Sequence, residues 1–250
     1  MPPLLDLNFE RAASSYLSLV RGCLTRSLFA DLEPGHDAIL RRDGRDWPST
    51  AETMVGEVRL RNVEDLLRLV LRRGIPGDVI ETGVWRGGTC ILMKAVLDVY
   101  GALDRCVWVA DSFAGLPEPD PDRGHPVLAE DDLSIHPELA VSVEMVMDNF
   151  RRYGLLDERV VFLEGWFKDT LPGSSIAEIA VLRLDGDYYE STMDALTNLY
   201  PRVSSGGFCI VDDYGCYETC REAVLDYRRE HGITARLVEV DWTGVYWQVP

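Results

Sequence analysis

Apolar residues in the first third of the chain recur at intervals of three and four, the spacing of one helix face. Ala13, Tyr16, Leu17, Val20, Leu24 and Leu28 predict a helix over residues 9–31, closed by Pro34 and Gly35. Residues 34–50, with Gly44 and Pro48, read as loop. Val58, Leu66, Leu67, Leu69 and Val70 predict a second helix from Glu57 to Arg73, with Gly74 placed as a C-terminal cap. From Asp78 the pattern changes, and short apolar runs alternate with helical stretches. The runs Val79–Glu81, Cys106–Ala110, Val160–Leu163, Ile179–Leu184 and Phe208–Val211 are strand candidates, and 88–100, 141–153, 190–200 and 217–231 are helix candidates. Such alternation implies a parallel sheet covered by helices on both faces. Ala235–Val240 and Val245–Val249, around a turn at Asp241–Gly244, predict a closing antiparallel hairpin. Residues 112–140 form one long acidic, proline-rich loop, a length associated with lids and binding segments. The division that emerges is an N-terminal helical extension, 1–74, and an α/β domain, 75–250.

Composition narrows the partners. The 250 residues carry 25 basic and 42 acidic side chains, a formal charge of −17. A nucleic-acid binder needs clustered Lys and Arg, so no nucleic-acid partner is expected, and no anionic membrane surface either. No apolar run approaches the length of a membrane-spanning helix. Met1–Glu10 has no basic residue, so no secretory signal is expected and a cytoplasmic location follows. The cysteines form no C-x-x-C pair and lie at no metal-ligand spacing from a histidine. Cys90, Cys106 and Cys209 read as core residues, and Cys216 and Cys220 as structural positions on a helix. His125 and His136, in the long loop, read as solvated residues or as contacts to the acceptor, and His36 and His231 as turn residues.

Ligands of open α/β sheets bind beyond the carboxyl ends of the strands. The first strand runs into Glu81-Thr82-Gly83-Val84-Trp85-Arg86-Gly87-Gly88. Its spacing is G-x-x-x-G-G, not the G-x-G-x-x-G that admits a pyrophosphate to a helix N-terminus. An acid before a glycine loop suits a ligand with a positive centre and no phosphate, such as S-adenosylmethionine; a tight turn with no ligand is the alternative. Asp111, after the second strand, is placed to accept both ribose hydroxyl hydrogens, or else to cap a turn. Trp166 and Phe167, after Gly165, would flank an adenine ring or plug the sheet edge. Asp185 and Asp187 follow the fourth strand, and Asp212 and Asp213 the fifth. Four carboxylates at neighbouring strand ends repel unless something offsets them, and a hard divalent cation such as Mg²⁺ does so.

Taken in order, Glu81–Gly88, Asp111–Gly115, Gly165–Pro172, Leu184–Thr192 and Gly206–Asp213 resemble the macrocin-type (TylF-like) O-methyltransferases, which modify deoxysugars on bacterial natural products. Glu52–Gly56 and Arg59-Leu60 carry the similarity upstream, so that it spans most of the chain. The resemblance implies the class I S-adenosylmethionine-dependent methyltransferase fold, an α/β Rossmann-like sheet of seven strands with one antiparallel. It implies that Asp185, Asp212 and Asp213 hold Mg²⁺ and that Asp187 is the general base. It places Glu81, Gly83, Val84, Trp85, Arg86, Asp111, Ser112 and Phe113 around the cofactor, with Thr53, Met54, Ser142, Gly165, Trp166, Phe167 and Asp185. It further implies a small-molecule glycoside substrate in antibiotic biosynthesis, an acceptor pocket shaped by the 112–140 loop, and a homodimer using the N-terminal helices. Two other enzymes stay in view. Asp185-Gly186-Asp187 also looks like the D-x-D of aspartyl-phosphate hydrolases, although Tyr189 stands where that motif expects Thr or Val. A metal-dependent catechol-type methyltransferase would use similar acids on a small phenolic acceptor.

Overall fold

A computed structural model describes residues 7–119, 125 and 127–250. Three N-terminal helices, α1 (Leu7–Leu24), α2 (Ala38–Asp43) and α3 (Glu57–Arg73), precede the sheet. Strands β1 (Asp78–Thr82), β2 (Val107–Asp111), β3 (Val160–Glu164), β4 (Ile179–Leu184) and β5 (Val203–Val211) follow. Helices α4 (Gly88–Val99), α5 (Val143–Arg152), α6 (Phe167–Thr170), α7 (Tyr189–Leu199) and α8 (Glu218–Glu230) connect or follow them, and β6 (Val238–Glu239) and β7 (Val245–Gln248) close the chain. The sheet order is β3-β2-β1-β4-β5-β7-β6. The first five strands pair in parallel, and β7 runs antiparallel to both β5 and β6. This is the seven-stranded sheet with one antiparallel strand that the resemblance implied.

The expected elements reappear with instructive shifts. The first helix stops at Leu24 instead of running to residue 31. Arg26 there takes a left-handed backbone, and its guanidinium donates to Glu52 at 2.7 Å. The chain then doubles back as a 3₁₀ turn, Ser27–Leu32. Leu28 comes down on α1 at Gly22, where any Cβ would stand 2.7 Å from Leu28 Cγ. Helix α2 lies inside the segment read as loop. It is too short to show a period, but Asp37 caps it by accepting the N–H groups of Ile39 and Leu40. Strand β5 begins at Val203, five residues before the expected Phe208, because Ser204–Gly207 looks like a turn in sequence. The described parts of 112–140 hold three short 3₁₀ turns, and the rest of that loop lies outside the described residues.

The two sheet faces bury separate apolar clusters. One joins Val79, Val109 and Val181 to α4, α5 and the N-terminal helices through Leu17, Val63 and Leu67. The other joins Ile80, Leu182 and Val211 to α7, α8 and β7 through Leu196, Val224 and Trp247. The N-terminal helices therefore share a core with the sheet. No helix among the described residues is long and apolar enough to cross a membrane. All six cysteines are free; Cys90, Cys209 and Cys220 are buried, whereas Cys106 is only partly so and Cys216 sits in the turn before α8.

Candidate active site

Strand order reverses between β1 and β4, and a crevice opens at such a reversal. A cavity of about 700 Å³ lies there, across the carboxyl ends of β1, β2, β4 and β5. Gly83 sits on the seam. Its φ of +82° is left-handed, and a Cβ would overlap the Asp185 carbonyl oxygen. The two loops thus touch backbone to backbone, with Asp185 N–H donating to Thr82 O at 2.8 Å. Gly83→Ala is expected to cost well over ~1 kcal/mol, since left-handed strain and overlap add. Calorimetry should show the unfolding midpoint falling by several degrees, at roughly 2–4 °C per kcal/mol for a chain of this size.

Strained backbone gathers around the cavity. Trp85, Phe113 and Asp187, in the turns after β1, β2 and β4, have φ of 47°, 54° and 56°. Such residues persist only where their surroundings hold them. Asp111 supplies part of that hold: its carboxylate accepts the N–H of Val84 at 2.7 Å and of Phe113 at 2.8 Å. It therefore ties the first two loops together while lining the cavity, and the Trp85 N–H and the Ser112 hydroxyl also donate to it. Burial raises its carboxyl, and these backbone bonds pull it back. Thr53, Met54, Glu81, Val84, Trp85, Ser112, Trp166 and Phe167 also line the cavity.

Four expected cofactor residues do not line it. Arg86 turns away and donates to the carbonyls of Pro48 and Ala51. Phe113 is buried beside Phe162, with ring centroids 6.2 Å apart. Ser142 caps α5 by accepting the N–H of Met145 at 3.3 Å. Gly165 donates its N–H to Asp111 O at 2.9 Å and supports the turn from behind.

The floor is acidic. One carboxylate oxygen each from Asp185, Asp187 and Asp213 lies within 4.8 Å of the others. Burial and mutual repulsion push Asp187 and Asp213 well above the usual carboxylate range, and Asp185 upward. Among the described residues no cationic side chain pairs with Asp187 or Asp213. Asp187 N–H donates to Asp213 Oδ2 at 3.2 Å, which joins the β4 and β5 loops. Asp212, expected in the same ligand set, is held differently: one oxygen accepts from Arg59 and the other from Arg183.

Arg183 is the main feature that pattern reading missed. It is fully buried on β4, opposite Glu81, and pairs with Glu81, Asp185 and Asp212. Burial works against its charge, yet those three acids keep it protonated. The signal was present: a charged residue inside the apolar run Ile179–Leu184 must be paired. Tyr188 was missed too; its hydroxyl accepts the Leu133 N–H at 2.7 Å and anchors the long loop to the residue that precedes α7. His125, read either as solvated or as a contact to the acceptor, lines the cavity, stacked on Tyr189 at 3.5 Å and 2.9 Å from Glu222.

Residues 13–249 match the family model described as macrocin-O-methyltransferase (TylF). The chain belongs to this family. A tetracenomycin rhamnosyl 4'-O-methyltransferase of Streptomyces olivaceus is 52% identical over 96% of this chain and 94% of its own length. The demethyldecarbamoylnovobiocin O-methyltransferase of Streptomyces niveus is 47% identical, covering 99% of both chains. The solved structure of the O-methyltransferase NovP superposes with a TM-score of 0.89 at 48% identity, over 95% of this chain and 99% of that one. An S-adenosylmethionine-dependent O-methyltransferase on the class I sheet, as the motifs suggested, is what the family carries. The hydrolase reading of Asp185 and Asp187 falls with it.

Proposed function

We propose that this macrocin-type O-methyltransferase moves the methyl group of S-adenosylmethionine to a hydroxyl of a deoxysugar carried by a bacterial natural product. The observation that carries this reading is the cluster of three half-buried to buried carboxylates beside a glycine loop that lacks the dinucleotide spacing, in a chain whose relatives are named for methylating glycosylated natural products. Glu81, Gly83, Asp111 and Ser112, with Thr53, Met54 and Trp166, would receive the cofactor, and its positive charge would offset part of the floor's excess. The donor set fits a hard cation: carboxylate oxygens only, crowded, two of them without a cationic partner among the described residues. Asp185, Asp212 and Asp213 would hold Mg²⁺; Asp212 keeps lone pairs beyond those its two arginines use. When bound, the ion would lower the acceptor hydroxyl's pKa and offset alkoxide charge.

The chain's own groups do the rest. Asp187 lines the cavity without a cationic partner among the described residues and takes the acceptor proton as the oxygen attacks the sulfonium methyl; the C–O bond forms while the C–S bond breaks. The cavity walls hold donor and acceptor in line, which removes the entropy of bringing them together. Chelation should abolish turnover and added Mg²⁺ should restore it; full activity in chelated enzyme would remove the ion from the reading.

Burial pushes the Glu81 carboxyl up to about 7, against the pull of Arg183. A raised value means that its contribution to folding stability, complete below the ordinary value of 4.5, is lost as pH climbs through about 7. Over the same window the ionised form gains a charge that attracts the cofactor's ammonium. The Kd of S-adenosylmethionine should therefore fall as pH rises through neutrality, and Glu81→Gln should flatten that profile in calorimetric titrations.

A homodimer completes the proposal. Leu19 on α1, Leu28, Phe29 and Leu32 in the 3₁₀ turn, and Ile39 and Leu40 on α2 leave apolar surface exposed, which a second copy would cover. Sedimentation should show two copies per particle.

A further inference from the structure

We infer that Arg59 is a positioning residue that couples cation occupancy of the acidic floor to the arrangement of the cavity mouth. This rests on the cation reading above and goes beyond it. Arg59 projects from α3 and is buried, with a relative exposure of 7%. Its guanidinium contacts three separate elements. Nη1 pairs with Asp212 on the floor, Nε donates to Asp241 Oδ2 at 3.1 Å, and Nη2 donates to Gly44 O at 3.2 Å. Two glycines clear its path: a Cβ on Gly244 would stand 3.1 Å from Arg59 Cδ, and one on Gly44 would collide with Nη2.

The two upper contacts lie in segments that line the cavity: Gly44–Trp47 with Gly44, and Trp242 and Thr243 next to Asp241. They are also fastened to each other. The Trp242 indole N–H donates to Asp43 O at 2.8 Å, and the Arg45 guanidinium lies 4.1 Å from the Trp242 ring centre. The Arg59 guanidinium lies 5.9 Å from the same ring. Whatever moves Arg59 therefore moves both segments and the surroundings of one tryptophan.

A divalent ion on the floor would move it. Ion and guanidinium both carry positive charge and both claim Asp212, so each weakens the other's hold on that carboxylate. Loosened from Asp212, Arg59 falls back on Asp241 and Gly44. The coupling is reciprocal by thermodynamic necessity: a ligand that rearranges the mouth changes ion affinity by the same factor. The planar fork is essential, because a lysine ammonium supplies the charge without the three-way geometry.

Mg²⁺ titration of the full-length protein, followed by calorimetry and by tryptophan fluorescence, tests this, with Trp242→Phe isolating the contribution of that ring. Wild type should bind Mg²⁺ with a fluorescence change that Trp242→Phe lacks. Arg59→Gln should bind Mg²⁺ about tenfold more tightly and lose the change, a factor in the usual range for coupled sites. Arg59→Lys should keep an affinity close to wild type and also lose it. If neither Arg59 variant folds, Asp241→Asn decides: it keeps the Asp212 contact and should diminish the signal at unchanged affinity. Unchanged or weaker Mg²⁺ binding by Arg59→Gln, a Trp242 signal surviving in either Arg59 variant, or an undiminished signal in Asp241→Asn would overturn the inference. Heat without any Trp242 signal in wild type would overturn it alone, whereas no heat at all would overturn the cation reading beneath it.

Discussion

Replacing Asp187 by asparagine is expected to lower kcat by about 10²–10⁴-fold, the range that a well-placed base supplies. The affinities for S-adenosylmethionine and Mg²⁺ should stay nearly unchanged. Asparagine suits the site. It has the same size, tolerates the left-handed backbone at φ 56°, and preserves the main-chain N–H that donates to Asp213. What it removes is the ability to take a proton. Asp212→Asn should behave in the opposite way, weakening Mg²⁺ binding first, with activity partly recovered at high ion concentration. The pair of variants separates two roles that the geometry sets close together, because the oxygens that cluster are those of Asp185, Asp187 and Asp213. If Asp187→Asn loses Mg²⁺ and Asp212→Asn keeps it, Asp187 is the third ligand and the proton goes elsewhere.

Arg183→Met is the substitution with the largest expected effect on stability. Methionine fills much of the volume, but Glu81 and Asp212, both buried, and Asp185, a quarter exposed, lose their shared cation. Removing one partner of a buried ionic network costs ~3–5 kcal/mol, because the remaining charges stay buried. At roughly 2–4 °C per kcal/mol, the unfolding midpoint should drop by about 6–20 °C in calorimetry. Adding Glu81→Gln should return part of the loss at alkaline pH, where the Glu81 carboxyl, already raised to about 7 beside Arg183, is ionised, and the double-mutant cycle measures how much. A midpoint close to wild type for Arg183→Met would mean that those acids are neutral or hydrated, and the electrostatic description of the floor would fail.

The strands, most helices and the four aspartates were legible because each leaves a local signature. A buried parallel strand is a short apolar run, a helix has a period, and an acid after a strand falls at a predictable edge of the sheet. The partners of those acids were not legible. Arg59 and Arg183 lie 124 positions apart, counting 59 to 183, and only the folded chain brings both to Asp212. No pattern reading could show that Asp212 arrives paired with two guanidinium groups while Asp213, its neighbour, has none among the described residues. The same holds for Ser142, which looks available in sequence but is committed to capping α5. Helix α2 and the early end of α1 escaped for another reason. Their boundaries depend on single residues, Asp37 as a cap and Gly22 beneath Leu28, and not on a repeating pattern. Within the long loop, the stacking of His125 on Tyr189 depends on where α7 begins, which loop composition does not encode.

The most direct test is mass spectrometry of deoxysugar glycosides incubated with methyl-labelled S-adenosylmethionine and Mg²⁺, then fragmented at the glycosidic bond. The account predicts one labelled methyl on a sugar hydroxyl, absent when the ion is chelated and absent with Asp187→Asn. Label on a phenolic oxygen of the aglycone, or label on the sugar that persists in chelated enzyme, would contradict it.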